Sequence, residues 1–220
     1  IENYDNVKLY RIENFNKTGS IAHGIAINDL VRQIDTKYGV ILDADCTFLY
    51  KNWDEILINE INEECPIIGT QASHLFGSVT TLEFPQVYAL FFDADINKAL
   101  EINYEPGKDT LHKDTAYQVQ KKYVENGYKG KLLKFKSTRN FKEGPFRKLT
   151  AIAEYYLDGY DNIFASHFGR GSTLGKAKYN KNWKNLIYTI PFIGPFILRS
   201  KGKRERNKWI KICKRIVDNL

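Results

Sequence analysis

Methionine is absent from the 220 residues and cysteine is scarce, with three. A chain that opens on Ile1 and holds no Met leads us to expect translation to have started upstream of this sequence. Cys46, Cys65 and Cys213 form no C-x-x-C pair, which argues against structural zinc and disulfides and for a reducing compartment. No signal peptide is recognisable, so a cytoplasmic location is expected. Long apolar runs are lacking as well. The longest mostly apolar stretch, Leu186–Leu198, has 13 residues broken by two prolines, short of the ~17–25 that a membrane span needs. The body of the chain also lacks an excess of either charge. The net charge is +7, and from Arg199 onward nine cations face two acids, so the tail carries all of it. A basic face on the body is therefore not expected, and nucleic acid is not an expected partner.

Enough apolar material is present for a packed core, at 43% hydrophobic and 14% aromatic residues, which excludes wholesale disorder. Alternation predicts a short strand over Val7–Ile12, and helical spacing of Ile27, Leu30, Val31 and Ile34 predicts a helix over Ile21–Ile34. Further strands are predicted over Val40–Leu42, Pro66–Gly69, Gln86–Phe92, Lys131–Lys136 and Asn162–Ser166. Further helices are predicted over Trp53–Glu64, Thr115–Asn126 and Phe146–Leu157. Strands alternating with helices imply an α/β architecture with a largely parallel sheet.

The most informative stretch is Tyr38-Gly-Val-Ile-Leu-Asp43-Ala-Asp45-Cys46-Thr47. Val40, Ile41 and Leu42 read as a central strand covered on both faces. Two carboxylates cannot continue into such a core, because burying bare charge is prohibitive. The chain must therefore emerge at Asp43, at the strand's carboxyl end, where open α/β sheets place ligands. Two hard oxygen donors there suit Mg²⁺ or Mn²⁺ with a phosphorylated substrate. A second pair, Asp93-Ala-Asp95, also follows an apolar run, but it reads as the N-cap of a short helix.

Asn14-Phe-Asn-Lys-Thr-Gly19-Ser-Ile-Ala-His23-Gly-Ile-Ala-Ile-Asn28, leading into the Asp43-Ala-Asp45 strand, resembles the middle of a GT-A glycosyltransferase of the family-two type. The resemblance covers roughly residues 5–175. It implies a GT-A-like, Rossmann-like, mostly parallel sheet flanked by helices over residues 1–180, with 181–220 as an apolar and basic tail. It further implies a nucleotide-sugar donor (a UDP- or GDP-sugar) contacted by Asp43, Asp45, His23 and Gly19, and Mg²⁺ or Mn²⁺ held by Asp45. Leu111-His-Lys-Asp114-Thr-Ala-Tyr117, followed by a helix and Gly127-Tyr128, is similar to the family's acidic catalytic motif, although Lys113 stands where Glu is usual. Asp114 is then the implied general base, and a helix N-cap is its plain alternative. Ser166-His167-Phe-Gly169-Arg170 resembles the late histidine that completes the metal site. Arg170 would stabilise the departing nucleoside diphosphate. The acceptor implied is a glycan or lipid-linked glycan. Relative to the family, the strand–helix–strand unit expected before Val7 is missing.

Two other classes stay open. Asp43 and Asp45 also look like the first motif of haloacid-dehalogenase phosphatases, with Asp43 as phosphoryl acceptor, although Cys46 replaces the usual Gly and no later Gly-Asp-x-x-x-Asp is found. A non-catalytic membrane-surface module is the other. In the tail, Trp209, Ile212, Cys213, Ile216, Val217 and Leu220 form an apolar stripe on a basic helix. That helix suits either an anionic membrane surface or packing on the domain.

Overall fold

The computed structural model describes residues 7–12, 17–72, 83–107, 115–169, 179, 190–191 and 193–219. The helices are α1 (Gly19–Arg32), α2 (Trp53–Glu60), α3 (Ala94–Ala99), α4 (Gln118–Glu125) and α5 (Ile193–Asp218). The strands are β1 (Tyr38–Leu42), β2 (Cys46–Phe48), β3 (Ile67–Thr70), β4 (Gln86–Asp93), β5 (Gly130–Ser137), β6 (Ala153–Tyr156) and β7 (Ala165–His167). They form one seven-stranded sheet in the order β1-β4-β3-β5-β6-β7-β2. β3 and β5 pair in parallel, and the other five pairings are antiparallel. The chain is therefore α/β, but the mostly parallel sheet expected from the alternation of elements is not what forms. Apolar runs register that strands exist and are silent on their direction.

β1 also differs from expectation. It lies at an end of the sheet, and Val40 and Leu42 are 37% and 45% exposed. The strand covered on both faces is β4. Its Leu90 and Phe92 join Ile67, Ile27, Val31, Val119 and Tyr123 in a core beneath α1 and α4. Its Ala89 and Phe91 point the other way, into a second core with Leu57 of α2, Ile68, Leu133 and Phe164. Period-two alternation in a strand between two helical layers produces this division.

β1 and β2 are opposite ends of the sheet order yet consecutive in the chain, so the sheet curls round until it nearly closes. The link between them is Asp43–Asp45. Its tight turn is held by Cys46 N–H donating to the Asp43 carbonyl at 2.8 Å.

Three local expectations fail. Val7–Ile12 forms no strand. Residues 146–151 make turns rather than a helix and lead into β6, whose Glu154 and Tyr155 are buried. α2 stops at Glu60, well short of Pro66. A third core holds Leu49, Phe146, Leu149, Ile152 and Phe168, and α5 completes it with Trp209 and Cys213. Trp209, Ile212, Cys213 and Ile216 of the tail's apolar stripe thus pack on the domain, while Val217 is 47% exposed. No described helix is long and apolar enough to cross a membrane.

Candidate metal and donor site

The site is built at the seam of the curled sheet. Asp43 follows β1 and is fixed by its N–H donating to the Tyr88 carbonyl of β4 at 2.9 Å. Three residues on, the chain enters β2, which pairs with β7 so that Cys46 lies opposite His167. Phe168 N–H donates to the Asp45 carbonyl at 2.8 Å and locks that register. Two strands remote in sequence thereby deliver one histidine onto two carboxylates.

His167 Nε2 lies 3.1 Å from Asp45 Oδ1 and 3.9 Å from Asp43 Oδ2. One donor atom from each of the three residues falls within 4.8 Å of the others. Cis ligands of an octahedral ion with bonds of ~2.1 Å sit about 3 Å apart, so this donor set fits a single divalent cation. All three side chains are only partly accessible, at 12% for His167, 19% for Asp43 and 23% for Asp45. The Tyr88 ring lies on the His167 imidazole at a centroid distance of 4.9 Å and restrains its rotation. Sequence reasoning missed Tyr88, although its position on β4 opposite the end of β1 was a usable signal.

Asp43 is bracketed by histidines. His23 Nε2, on α1, stands 3.6 Å from its Oδ1, with His167 on the other side. Desolvation raises the Asp43 carboxyl above its ordinary range; His167 and His23 pull it down less strongly, and Asp45 adds to the rise. Two carboxylates held close together and largely out of water form a site that a cation stabilises. Burial likewise pushes up the Cys46 thiol, with Asp43 and Asp45 adding to it, so Cys46 is inert packing rather than a nucleophile.

Comparison with protein-family models, with curated proteins and with solved structures finds no match for this chain.

Gly19 opens α1 at φ +60°, a left-handed conformation that favours glycine there. Asp114 and Arg170 lie outside the described residues. Thr115, the next residue after Asp114, has its Oγ1 donating to the Ser20 carbonyl in the first turn of α1 at 3.1 Å. α1 therefore binds the start of the 115–126 segment at one end and offers His23 to Asp43 one turn later. Asp93 is the side-chain cap of α3, accepting from the Asp95 and Ile96 N–H groups at 3.0 Å each. Tyr155 is buried in the second core, and Tyr156 donates its hydroxyl hydrogen to Glu154 at 2.7 Å.

Proposed function

We propose that this chain is the core of a metal-dependent glycosyltransferase of GT-A type, acting on a nucleotide-sugar donor. The observation that carries the reading is the convergence of Asp43, Asp45 and His167 at one seam, within reach of a single ion. In this reading Asp45 and His167 hold Mg²⁺ or Mn²⁺, and Asp43 contacts the donor. The ion's contribution is to neutralise charge on the diphosphate leaving group. Asp114 takes the proton from the acceptor hydroxyl as that oxygen attacks the anomeric carbon, so transfer inverts configuration. Arg170 meets the developing charge on the departing nucleoside diphosphate. His23 orients Asp43. Support for Asp114 as the base comes from the Thr115–Ser20 hydrogen bond, which ties its neighbour to the helix that carries His23. The acceptor is a glycan or a lipid-linked glycan.

In the phosphatase reading Asp45, two residues after the phosphoryl acceptor Asp43, would be the general acid; that reading has less support, because such an acid needs a free carboxyl and Asp45 Oδ1 is already engaged by His167. Titration calorimetry with Mn²⁺ and UDP or GDP, alongside product analysis, tests the proposal. Metal-dependent nucleotide binding and nucleoside diphosphate release from a nucleotide sugar are expected. Losing an outer-sphere partner costs ~10–100-fold in metal affinity, so removing a direct ligand by Asp45→Asn should cost at least that. Unchanged Mn²⁺ binding in Asp45→Asn refutes the metal site. Phosphate release from phosphomonoesters, without nucleoside diphosphate release, replaces the transferase with the phosphatase.

A further inference from the structure

α5 uses one face and leaves the other unspent. Its inward side buries Gly194, Leu198, Gly202, Trp209 and Cys213. Glu205 on that side accepts from the Thr150 and Tyr179 hydroxyls at 2.9 and 3.1 Å. At 3.6 residues per turn, Ile193, Phe196, Lys203, Arg204, Lys211 and Lys214 all project within about 60° of the direction opposite Trp209. Phe196 is 75% exposed and Ile193 54%, a large apolar pair at the start of a face that is mainly cationic, with Asp218 as an acid at its far end. Arg199, Arg206, Lys208 and Arg215 flank that face and are exposed too. Beside it lies a cleft of about 360 Å³ with Arg147, Lys148 and Arg215 around Pro145, Ile212 and Ile216.

We propose that this outward face of α5 docks on an anionic lipid surface, with Phe196 and Ile193 entering the headgroup layer and a lipid phosphate seated between Arg147, Lys148 and Arg215. The face differs from the apolar stripe that the sequence offered for the same purpose. Four residues of that stripe pack in the third core, where Trp209 and Cys213 are 6% and 8% exposed.

Charge complementarity selects the occupant, and the apolar residues narrow it. A phosphodiester backbone would satisfy the cations but leaves aliphatic Ile193 and Ile210 exposed, at 54% and 38%. A bilayer interface takes both kinds of side chain at once. An α-helix of 26 residues spans about 39 Å, long enough to lay its outward cations along a plane. Docking also reaches the site mechanically. Trp209 Nε1–H donates to Ser166 Oγ at 2.9 Å, and Ser166 directly precedes His167 on β7. The lipid surface would hold the seam of the sheet at a fixed height above itself. The docking stands on its own residues, whether or not the Asp43–Asp45–His167 cluster transfers sugar.

The test is co-sedimentation of the full chain with phosphatidylcholine vesicles, with and without phosphatidylglycerol, at low and high salt. Binding is expected only with the anionic lipid, and salt should weaken it. Each cation near such a surface is worth about 1 kcal/mol, a factor of about five. The variant K203E/R204E/K211E/K214E should therefore lose at least ~10²-fold in vesicle partitioning. Phe196→Ser, at a side chain that makes little packing contact, should lower binding several-fold with unchanged circular dichroism. Equal binding to neutral vesicles overturns the proposal, as does full binding by the quadruple variant. Displacement of the wild-type chain from vesicles by an equal charge concentration of single-stranded RNA overturns it in favour of nucleic acid.

Discussion

Replacing Gly24 by alanine sets two opposing effects against each other, and their sizes decide the result. Gly24 is buried in the middle of α1, where alanine is favoured over glycine by ~0.8–1 kcal/mol of helix propensity. A Cβ there, however, would lie 2.6 Å from Glu105 Cα, 2.7 Å from the Tyr104 carbonyl oxygen and 2.9 Å from Glu105 N. All three are backbone atoms, so no rotamer change relieves the contact. The segment is also pinned one turn further along α1. Tyr104 N–H donates to Asn28 Oδ1 at 2.9 Å, and Asn28 Nδ2 donates to Asn103 Oδ1 at 2.8 Å. Overpacking costs ~1–3 kcal/mol, and a contact that is rigid on both sides belongs at the upper end. Subtracting the propensity gain leaves a net loss of about 2 kcal/mol, or roughly 4–8 °C in Tm for a chain of this size. The readout is thermal unfolding of Gly24→Ala beside Gly127→Ala. Gly127 sits at φ +82° with nothing within 4 Å of the added Cβ, so its substitution carries only backbone strain. A Gly24→Ala protein melting at or above the wild type would show that α1 and residues 103–105 yield to each other. The close-packing argument for this Gly–Asn pair would then fail.

Two further outcomes are expected. Asp114→Asn should lower sugar transfer by ~10²–10⁴-fold while leaving donor affinity nearly unchanged; steady-state kinetics showing near-normal turnover reduce Asp114 to a helix cap. Glu154 is fully buried and accepts from the Tyr156 hydroxyl at 2.7 Å and from Phe146 N–H at 3.2 Å. Desolvation nevertheless raises its carboxyl above the usual range, outweighing those bonds and the Lys136 charge. A raised folded-state value makes its contribution to stability complete below the ordinary glutamate range of ~4.3. That contribution is lost as pH climbs through the raised value. Glu154→Gln removes this loss, so its Tm relative to wild type should climb over that window and then level off. Parallel stability–pH curves for the two proteins would refute the burial argument.

The parts of the fold that were legible in the sequence depend on local physics. Helical spacing of Ile27, Leu30 and Val31 located α1, and the Asp93 cap located α3, because caps and amphipathic stripes are decided within a few residues. Strand direction is not decided there. Gln86–Asp93 reads the same whether its neighbours run with it or against it, and four of its residues in a row are buried. Val40-Ile41-Leu42 looks like a central strand, yet it has one described neighbour and leaves two side chains half in solvent. The segment 146–157 held helical spacing in Phe146, Leu149 and Ile152, which the structure satisfies by turning all three into the third core. Burial in that core, rather than helix formation, is what the spacing recorded.

The exit of the chain from β1 at Asp43 was legible, although the premise of a strand covered on both faces was not met. β1 ends at Leu42 with Val40 and Leu42 partly in solvent, so the turn at Asp43–Asp45 answers to the change from apolar to polar residues rather than to full burial of the strand. What the acids would meet was beyond local reasoning. His167 reaches them through the β2–β7 pairing, with Cys46 opposite His167 and Phe48 opposite Ala165. A slip of one residue would turn His167 to the other face and bring Ser166 or Phe168 to the acids instead. Three contacts outside that ladder oppose such a slip. Ser166 Oγ donates to the Ala153 carbonyl at 3.0 Å, the Trp209 indole donates to Ser166 Oγ, and the Phe168 ring packs 5.9 Å from Trp209. The register that assembles the donor set is therefore held from behind by α5, the element farthest from Asp43 in the chain. A site whose two halves lie 122 residues apart depends in this way on a helix that contributes none of its three donors.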